Sequence, residues 1–288
     1  MSETVYLNGT LIPRRQAMIS VMDYGFLYGF GLFETMRAYH GQVFRLDRHL
    51  GRLARSAELL GLAAEIPDLT DAVRETIRVN RLSDARIRIT VSIGEGGMVP
   101  DPGTCRKPTV LILAGPYQPY SEPVYERGFR AVTSPIRRNS QSPLSRLKSA
   151  NSLESLLAKQ EARNAGADEA LCLNEKGLVA EASMSNIFLV SDGSLLTPKE
   201  DSGILAGITR EAVLELADRL KIGFSERDIS PEEVCPAEEA FLTNSLIEIM
   251  PLTRVDGQPI GSGRPGPVTH KLRAAYRRLV LESTTSAQ

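Results

Sequence analysis

Alternating and helical apolar patterns take turns along the chain, without a regular strand–helix–strand rhythm. Residues 5–12, V-Y-L-N-G-T-L-I, read as two short strands around an Asn-Gly turn, a strong local hairpin signal. L-F-E-T-M-R-A-Y (32–39) and Q-V-F-R-L (42–46) repeat that arrangement around His40-Gly41. From Asp47 onward, Leu50, Leu53, Ala54, Ala57 and Leu60 recur at helical spacing until Gly61 ends the run. A second helix is predicted over about 68–80. R-I-R-I-T-V-S-I (86–93) alternates as a half-buried strand, and T-V-L-I-L-A (109–114) reads as a buried one.

The pattern breaks at P-Y-Q-P-Y-S-E-P (116–123), rich in proline and poor in core residues, which reads as a linker. Beyond it, strands are predicted over 129–134, 169–173, 177–182, 186–191, 194–197 and 240–243. Helices are predicted over about 150–165, after Gly207-Ile208-Thr209, and from near Pro267 to the end. Mixed elements of this kind predict an α+β protein with a smaller N-terminal domain (1–115), a linker (116–124) and a larger C-terminal domain (125–288).

The chain has 288 residues, 42% of them hydrophobic, enough for two cores. A net charge of −1 gives no whole-chain attraction for nucleic acid or a membrane surface. Cys105, Cys172 and Cys235 lack CxxC spacing, and His40, His49 and His270 lack HExxH spacing, so no metal site is expected. No run of eighteen apolar residues and no signal-peptide pattern occurs, so a cytoplasmic protein is expected.

Four features then point to chemistry. Lys148 stands among small uncharged residues in L-K-S-A-N-S-L; it reads either as a solvated lysine or as one held in a pocket to form a Schiff base. Glu181 ends the apolar strand G-L-V-A-E, where a carboxylate is either wet or paired. A-G-I-T-R-E (206–211) leads into a helix whose first N–H groups and Thr209 hydroxyl suit an anion, or form an ordinary cap. T-N-S-L-I-E (243–248) is a hydroxyl- and amide-rich loop, either a second anion site or a plain turn. One ligand with an aldehyde, a basic ring nitrogen and a phosphate would use all four, and pyridoxal 5'-phosphate has these groups.

D-Y-G-F-L-Y-G-F-G-L-F-E-T, H-L-G-R-L, L-K-S-A-N-S-L, G-L-V-A-E-A-S-M-S-N-I-F, G-I-T-R and T-N-S-L-I-E-I-M-P occur here in that order. In this the chain resembles the class IV aminotransferases, the fold type IV pyridoxal-phosphate enzymes, over almost its whole length. The resemblance implies that Lys148 is the Schiff-base lysine and acid-base catalyst and that Glu181 pairs with the pyridine nitrogen. It implies that Arg52, Ile208, Thr209 and Ser245 hold the phosphate, and that Asn186 supports the loop around Glu181. Read from its helix alone, Arg52 is instead a solvated salt-bridge partner. Substrate positions implied are Tyr28, Phe33, Thr35, Arg37, Arg88 and Met98. The family's members are usually homodimers that act on an amino donor and a keto-acid acceptor.

Within the family, F-E-T-M-R and Ser152 depart from the branched-chain pattern, and I-G-E-G-G-M-V-P lacks the Arg/His pair of D-amino acid transaminases. F-E-T, R-I-R-I-T-V and T-N-S-L are similar to aminodeoxychorismate lyases. The resemblance therefore implies transamination first, with 4-amino-4-deoxychorismate lyase activity as the alternative and a silent binding protein as the reading from another class. Stereopreference and substrate stay open.

Overall fold

Asn8 and Gly9 both lie in the left-handed region, at φ 48° and 94°. They turn β1 (Thr4–Leu7) into β2 (Thr10–Pro13), antiparallel with Leu7 opposite Thr10. This computed structural model describes residues 3–62 and 66–285. Residues 1, 2, 63–65 and 286–288 of the two expected domains lie outside the described residues.

After the short helix α1 (Tyr24–Tyr28) come β3 (Gly31–Tyr39) and β4 (Gln42–Val43), which close the second hairpin across His40-Gly41. Helices α2 (Leu46–Leu59) and α3 (Thr70–Val79) follow, then β5 (Ala85–Ser92) and β6 (Thr109–Pro116). The strands form a six-stranded antiparallel sheet in the order β2-β1-β6-β5-β3-β4. Leu32, Met36, Ile87, Ile89 and Ile112 share a core with Leu53, Ala57, Val73 and Ile77 of the two helices. Strand β6 alternates instead of being wholly buried, because Leu111 and Leu113 lie on the other face, with Phe33, Thr35, Arg88 and Thr90.

Helix α2 turns a different side inward from the one its apolar residues suggest. Ala54 is exposed, while His49, Arg52 and Ser56 are buried beside Leu53 and Ala57. His49 and Arg52 join the inner stripe because they meet a buried charge on β3, described below.

The chain divides into two compact units. The first holds the chain up to Gln118, Leu147–Asn151, and the chain from Val280 onward; the second holds Pro119–Arg146 and Ser152–Leu279. The boundary at Gln118 falls within 116–124, between β6 and α4 (Glu122–Arg127). Leu147–Asn151 belongs to the first unit because it runs along β3. Phe33 N–H donates to the Lys148 carbonyl and Ala150 N–H to the Gly31 carbonyl, both at 2.8 Å.

The second unit continues with β7 (Phe129–Arg138), α5 (Leu153–Asn164), β8 (Glu169–Asn174), β9 (Val179–Ala182), β10 (Asn186–Ser191) and β11 (Ser194–Pro198). It then adds α6 (Ile208–Arg219), β12 (Phe224–Arg227), β13 (Glu239–Asn244), β14 (Glu248–Val255), β15 (Gln258–Pro259) and α7 (Pro267–Thr285). These strands make a nine-stranded mixed sheet, β12-β11-β10-β13-β14-β7-β8-β9, with β15 beside β14. β14 went unread in the sequence. It is buried on both faces, so it does not alternate, and Pro251 within it reads as a breaker. Helices and strands are interspersed as expected, giving an α+β fold.

Candidate functional site

In the first unit, strand pairing sets Lys148. Its backbone is bonded to Phe33, and its half-buried side chain places Nζ 4.7 Å from the centre of the Phe33 ring. Arg88, opposite Thr35 on β5, places its guanidinium 4.0 Å from the same ring. Phe33, Thr35, Arg88 and Lys148 Nζ thus gather on one sheet face. Burial and the neighbouring charge of Arg86 lower the Arg88 pKa. Arg37 lies four residues along β3 and is buried against Tyr39 and Tyr117, at 4.2 and 5.0 Å from their ring centres. Tyr28 is partly exposed, edge-on to Tyr24, and Met98 is 83% exposed.

Arg52 is buried on the opposite face of β3. It donates Nε–H to Glu34 Oε1 and Nη2–H to Glu34 Oε2, both at 2.8 Å. His49 Nδ1 stands 2.8 Å from Oε2. Burial alone would raise the Glu34 pKa, but the Arg52 charge and the bonds from His49 and Arg52 bring it down to about 2. Burial keeps the His49 pKa below its usual value against the pull of Glu34, and the charges of Arg52 and Lys148 act the same way as burial. Both shifts favour a neutral imidazole beside an ionised Glu34 carboxylate. The solvated salt bridge read from the helix alone is corrected here to a buried two-point pair, because His49 and Arg52, three apart, share the helix face that meets Glu34.

In the second unit, Glu181 is the next-to-last residue of β9, with its carboxylate buried. Oε2 accepts from Asn186 Nδ2 at 3.0 Å and from Leu205 N–H at 3.2 Å, and Oε1 lies 3.1 Å from Arg138 Nη2. A wet strand-end glutamate is excluded. Cys172, across the β8–β9 ladder, has its thiol pKa pushed up to about 12, by burial first and by Glu181 next. Asn186 also donates to the Leu205 carbonyl at 2.8 Å, which ties β10 to the segment entering α6. A side chain at Gly207 would meet Asn186 Oδ1 at 2.0 Å, so only glycine lets the start of α6 approach Asn186. Ile208 and Thr209 are buried in the first turn of α6. Thr243, opposite Asn186 on β13, is buried and lacks a hydrogen-bond partner for Oγ1 among the described residues. Asn244 bonds the Met184 carbonyl and the N–H groups of Leu246 and Ile247, which shapes the loop that carries Ser245.

The family model described as amino-transferase class IV matches residues 31–255, which contain both sets of residues. The chain belongs to the class IV aminotransferase family. It is 38% identical to the branched-chain-amino-acid aminotransferase of Pseudomonas aeruginosa over 97% of this chain and 94% of that one. It is 35% identical to the aminodeoxychorismate lyase of Bacillus subtilis over 95% and 94% of the two chains. The solved T.th. branched-chain amino acid aminotransferase with pyridoxamine 5'-phosphate superposes at TM-score 0.90 and 32% identity, covering 97% and 94% of the chains. The F-E-T-M-R and Ser152 departures therefore leave the chain well within reach of branched-chain relatives.

For this class IV aminotransferase, sequence reasoning missed Arg138, Leu205, Glu34 and His49. A backbone N–H leaves no signal at all. Glu34 had one: in L-F-E-T-M-R it takes the buried parity of Leu32 and Met36, and a carboxylate there demands a cation.

Proposed function

We propose that the protein is a pyridoxal 5'-phosphate-dependent aminotransferase that moves an amino group between an amino acid or primary amine and a 2-keto acid. The observation that carries this reading is the buried Glu181 carboxylate, held by Arg138, Asn186 and Leu205 N–H. A carboxylate this costly to bury suits a protonated ring nitrogen. The other residues fit the cofactor by their chemistry. Gly207 caps α6 without a side-chain bond, so no cap side chain occupies the first-turn N–H groups, which would serve an anion beside the Thr209 hydroxyl. Ser245, Arg52 and Ile208 would complete the phosphate contacts.

When bound, the cofactor supplies an electron sink for charge that develops at the substrate's α-carbon. Lys148 would attach it as a nucleophile and, once displaced by the substrate amine, take the α-proton as a base. Glu181 would keep the ring nitrogen protonated, and Asn186 would hold Glu181 in place. Phe33 and Thr35 would wall the substrate, and Arg88 would meet a carboxylate, with Tyr28, Arg37 and Met98 as outer positions. Met18, Ile19, Val21, Phe26 and Leu27 leave apolar surface exposed in the first unit, which supports a homodimer. A cytoplasmic location belongs to the same reading; among the described residues no helix is long and apolar enough to cross a membrane.

The test loads the protein with pyridoxal 5'-phosphate and mixes it with L- and D-amino acids, (R)-amines and aminodeoxychorismate. A keto acid formed with a stoichiometric amino group left on the cofactor supports transamination. Pyruvate and 4-aminobenzoate from aminodeoxychorismate would favour the lyase alternative, which the Bacillus subtilis relative keeps in view.

A further inference from the structure

We propose that Arg138 is a positioning residue for Glu181: it holds that carboxylate fixed and ionised for the ring nitrogen, and the proposal rests on the reading just given. Arg138 is the last residue of β7. It donates Nε–H to the Gly203 carbonyl at 2.9 Å and Nη2–H to the Ser145 carbonyl at 3.2 Å, and the same Nη2 lies 3.1 Å from Glu181 Oε1. The two carbonyls come from separate turns, so the guanidinium is anchored independently of the carboxylate it meets. The turn that offers the Gly203 carbonyl is itself specified: Gly203 has φ 84°, and a Cβ there would meet Ser140 Cα at 2.8 Å.

Asn186 and Leu205 N–H, which also donate to Glu181, are neutral. They orient the carboxylate but bring no charge. A buried carboxylate takes up a proton unless a cation compensates it, and an adjacent opposite charge changes a carboxyl's proton affinity about tenfold to a thousandfold. A proton shared between Glu181 and a ring nitrogen is repelled from the carboxylate by the guanidinium beside it. The pair then rests as carboxylate and protonated ring, the form that draws electron density from the substrate. The competing view is that Arg138 is a strut between β7 and two turns, with no effect through Glu181.

A double-mutant cycle separates the two. Arg138→Met, Glu181→Gln and the double variant are each titrated with pyridoxal 5'-phosphate by equilibrium dialysis. Their single-turnover half-reaction with the best amino donor is then timed. Arg138→Met is expected to weaken cofactor binding about tenfold and slow the half-reaction about tenfold to a hundredfold with Glu181 present. In the Glu181→Gln background the same change is expected to alter both by less than about twofold. Equal losses in both backgrounds overturn the proposal and leave Arg138 a strut. Unaltered binding and rate in Glu181→Gln alone would overturn the reading of Glu181 and this proposal with it. Arg138→Lys covers the case in which the methionine variant does not fold. It keeps the charge but cannot span both carbonyls, so rates within about fivefold of wild type are expected, and a loss as deep as that of Glu181→Gln refutes the idea.

Discussion

At the residue scale, the proposed chemistry turns on a single carboxylate. Glu181 pairs with Arg138 and accepts from Asn186 and Leu205 N–H within a buried strand, contacts that offset the cost of burying its charge. Glu181→Gln is expected to load with pyridoxal 5'-phosphate at modestly reduced affinity, since the proposed phosphate donors are untouched. Its half-reaction is expected to slow roughly 10²–10³-fold, the usual cost of losing one preorganised electrostatic partner. Stopped-flow single turnovers read this directly, and near wild-type rates would make Glu181 a structural carboxylate only. The sequence showed that Glu181 ends an apolar strand but not whether it was paired. Its ion-pair partner Arg138 lies 43 residues earlier in the chain and reaches it through the parallel β7–β8 and antiparallel β8–β9 ladders.

Between elements, the decisive contact joins α2 to β3. The Arg52–Glu34–His49 cluster makes Arg52 part of the core of its unit as well as a proposed phosphate ligand. Arg52→Ala leaves Glu34 buried without its ion pair and is expected to lower the stability of the cofactor-free protein by about 3–5 kcal/mol. Arg55→Ala, on the exposed side of the same helix, should stay within about 0.5 kcal/mol. Urea unfolding compares them, and equal midpoints would contradict the buried pair. Because of this second role, Arg52→Lys is the better probe of cofactor affinity. Lysine keeps the charge but not the fork, so about a tenfold loss of affinity is expected. Most elements could be read from the chain: the Asn8-Gly9 and His40-Gly41 hairpins, the α6 start at Gly207, and the alternation of β5. The inner face of α2 and the whole of β14 could not. In the first, polar residues are buried for the sake of a charge elsewhere; in the second, both faces are covered and the alternating signal vanishes.

For the whole molecule, that same cluster sets a pH dependence. The Glu34 pKa is lowered from 4.5 to about 2, so the unfolded chain binds a proton that the folded one refuses. Stability from this group is complete above about pH 4.5 and is lost as pH falls toward 2, by about 3 kcal/mol in all. His49, whose pKa is also lowered, adds a loss of the same sign as pH falls below its ordinary value of 6.5. Thermal unfolding from pH 8 to 3 should follow this descent, and a flat profile would contradict the buried, ionised Glu34. Binding of pyridoxal 5'-phosphate to the folded chain alone should add about 2.7 kcal/mol at a hundredfold excess over Kd. Everything proposed for the site depends on Lys148 being the residue that carries the cofactor. The most direct measurement reduces the loaded protein with borohydride and maps the labelled peptide by mass spectrometry. The pyridoxyl mass is expected on Lys148 and absent from Lys148→Ala; a label on any other of the seven lysines, or one that persists in the variant, would contradict the assignment of Lys148.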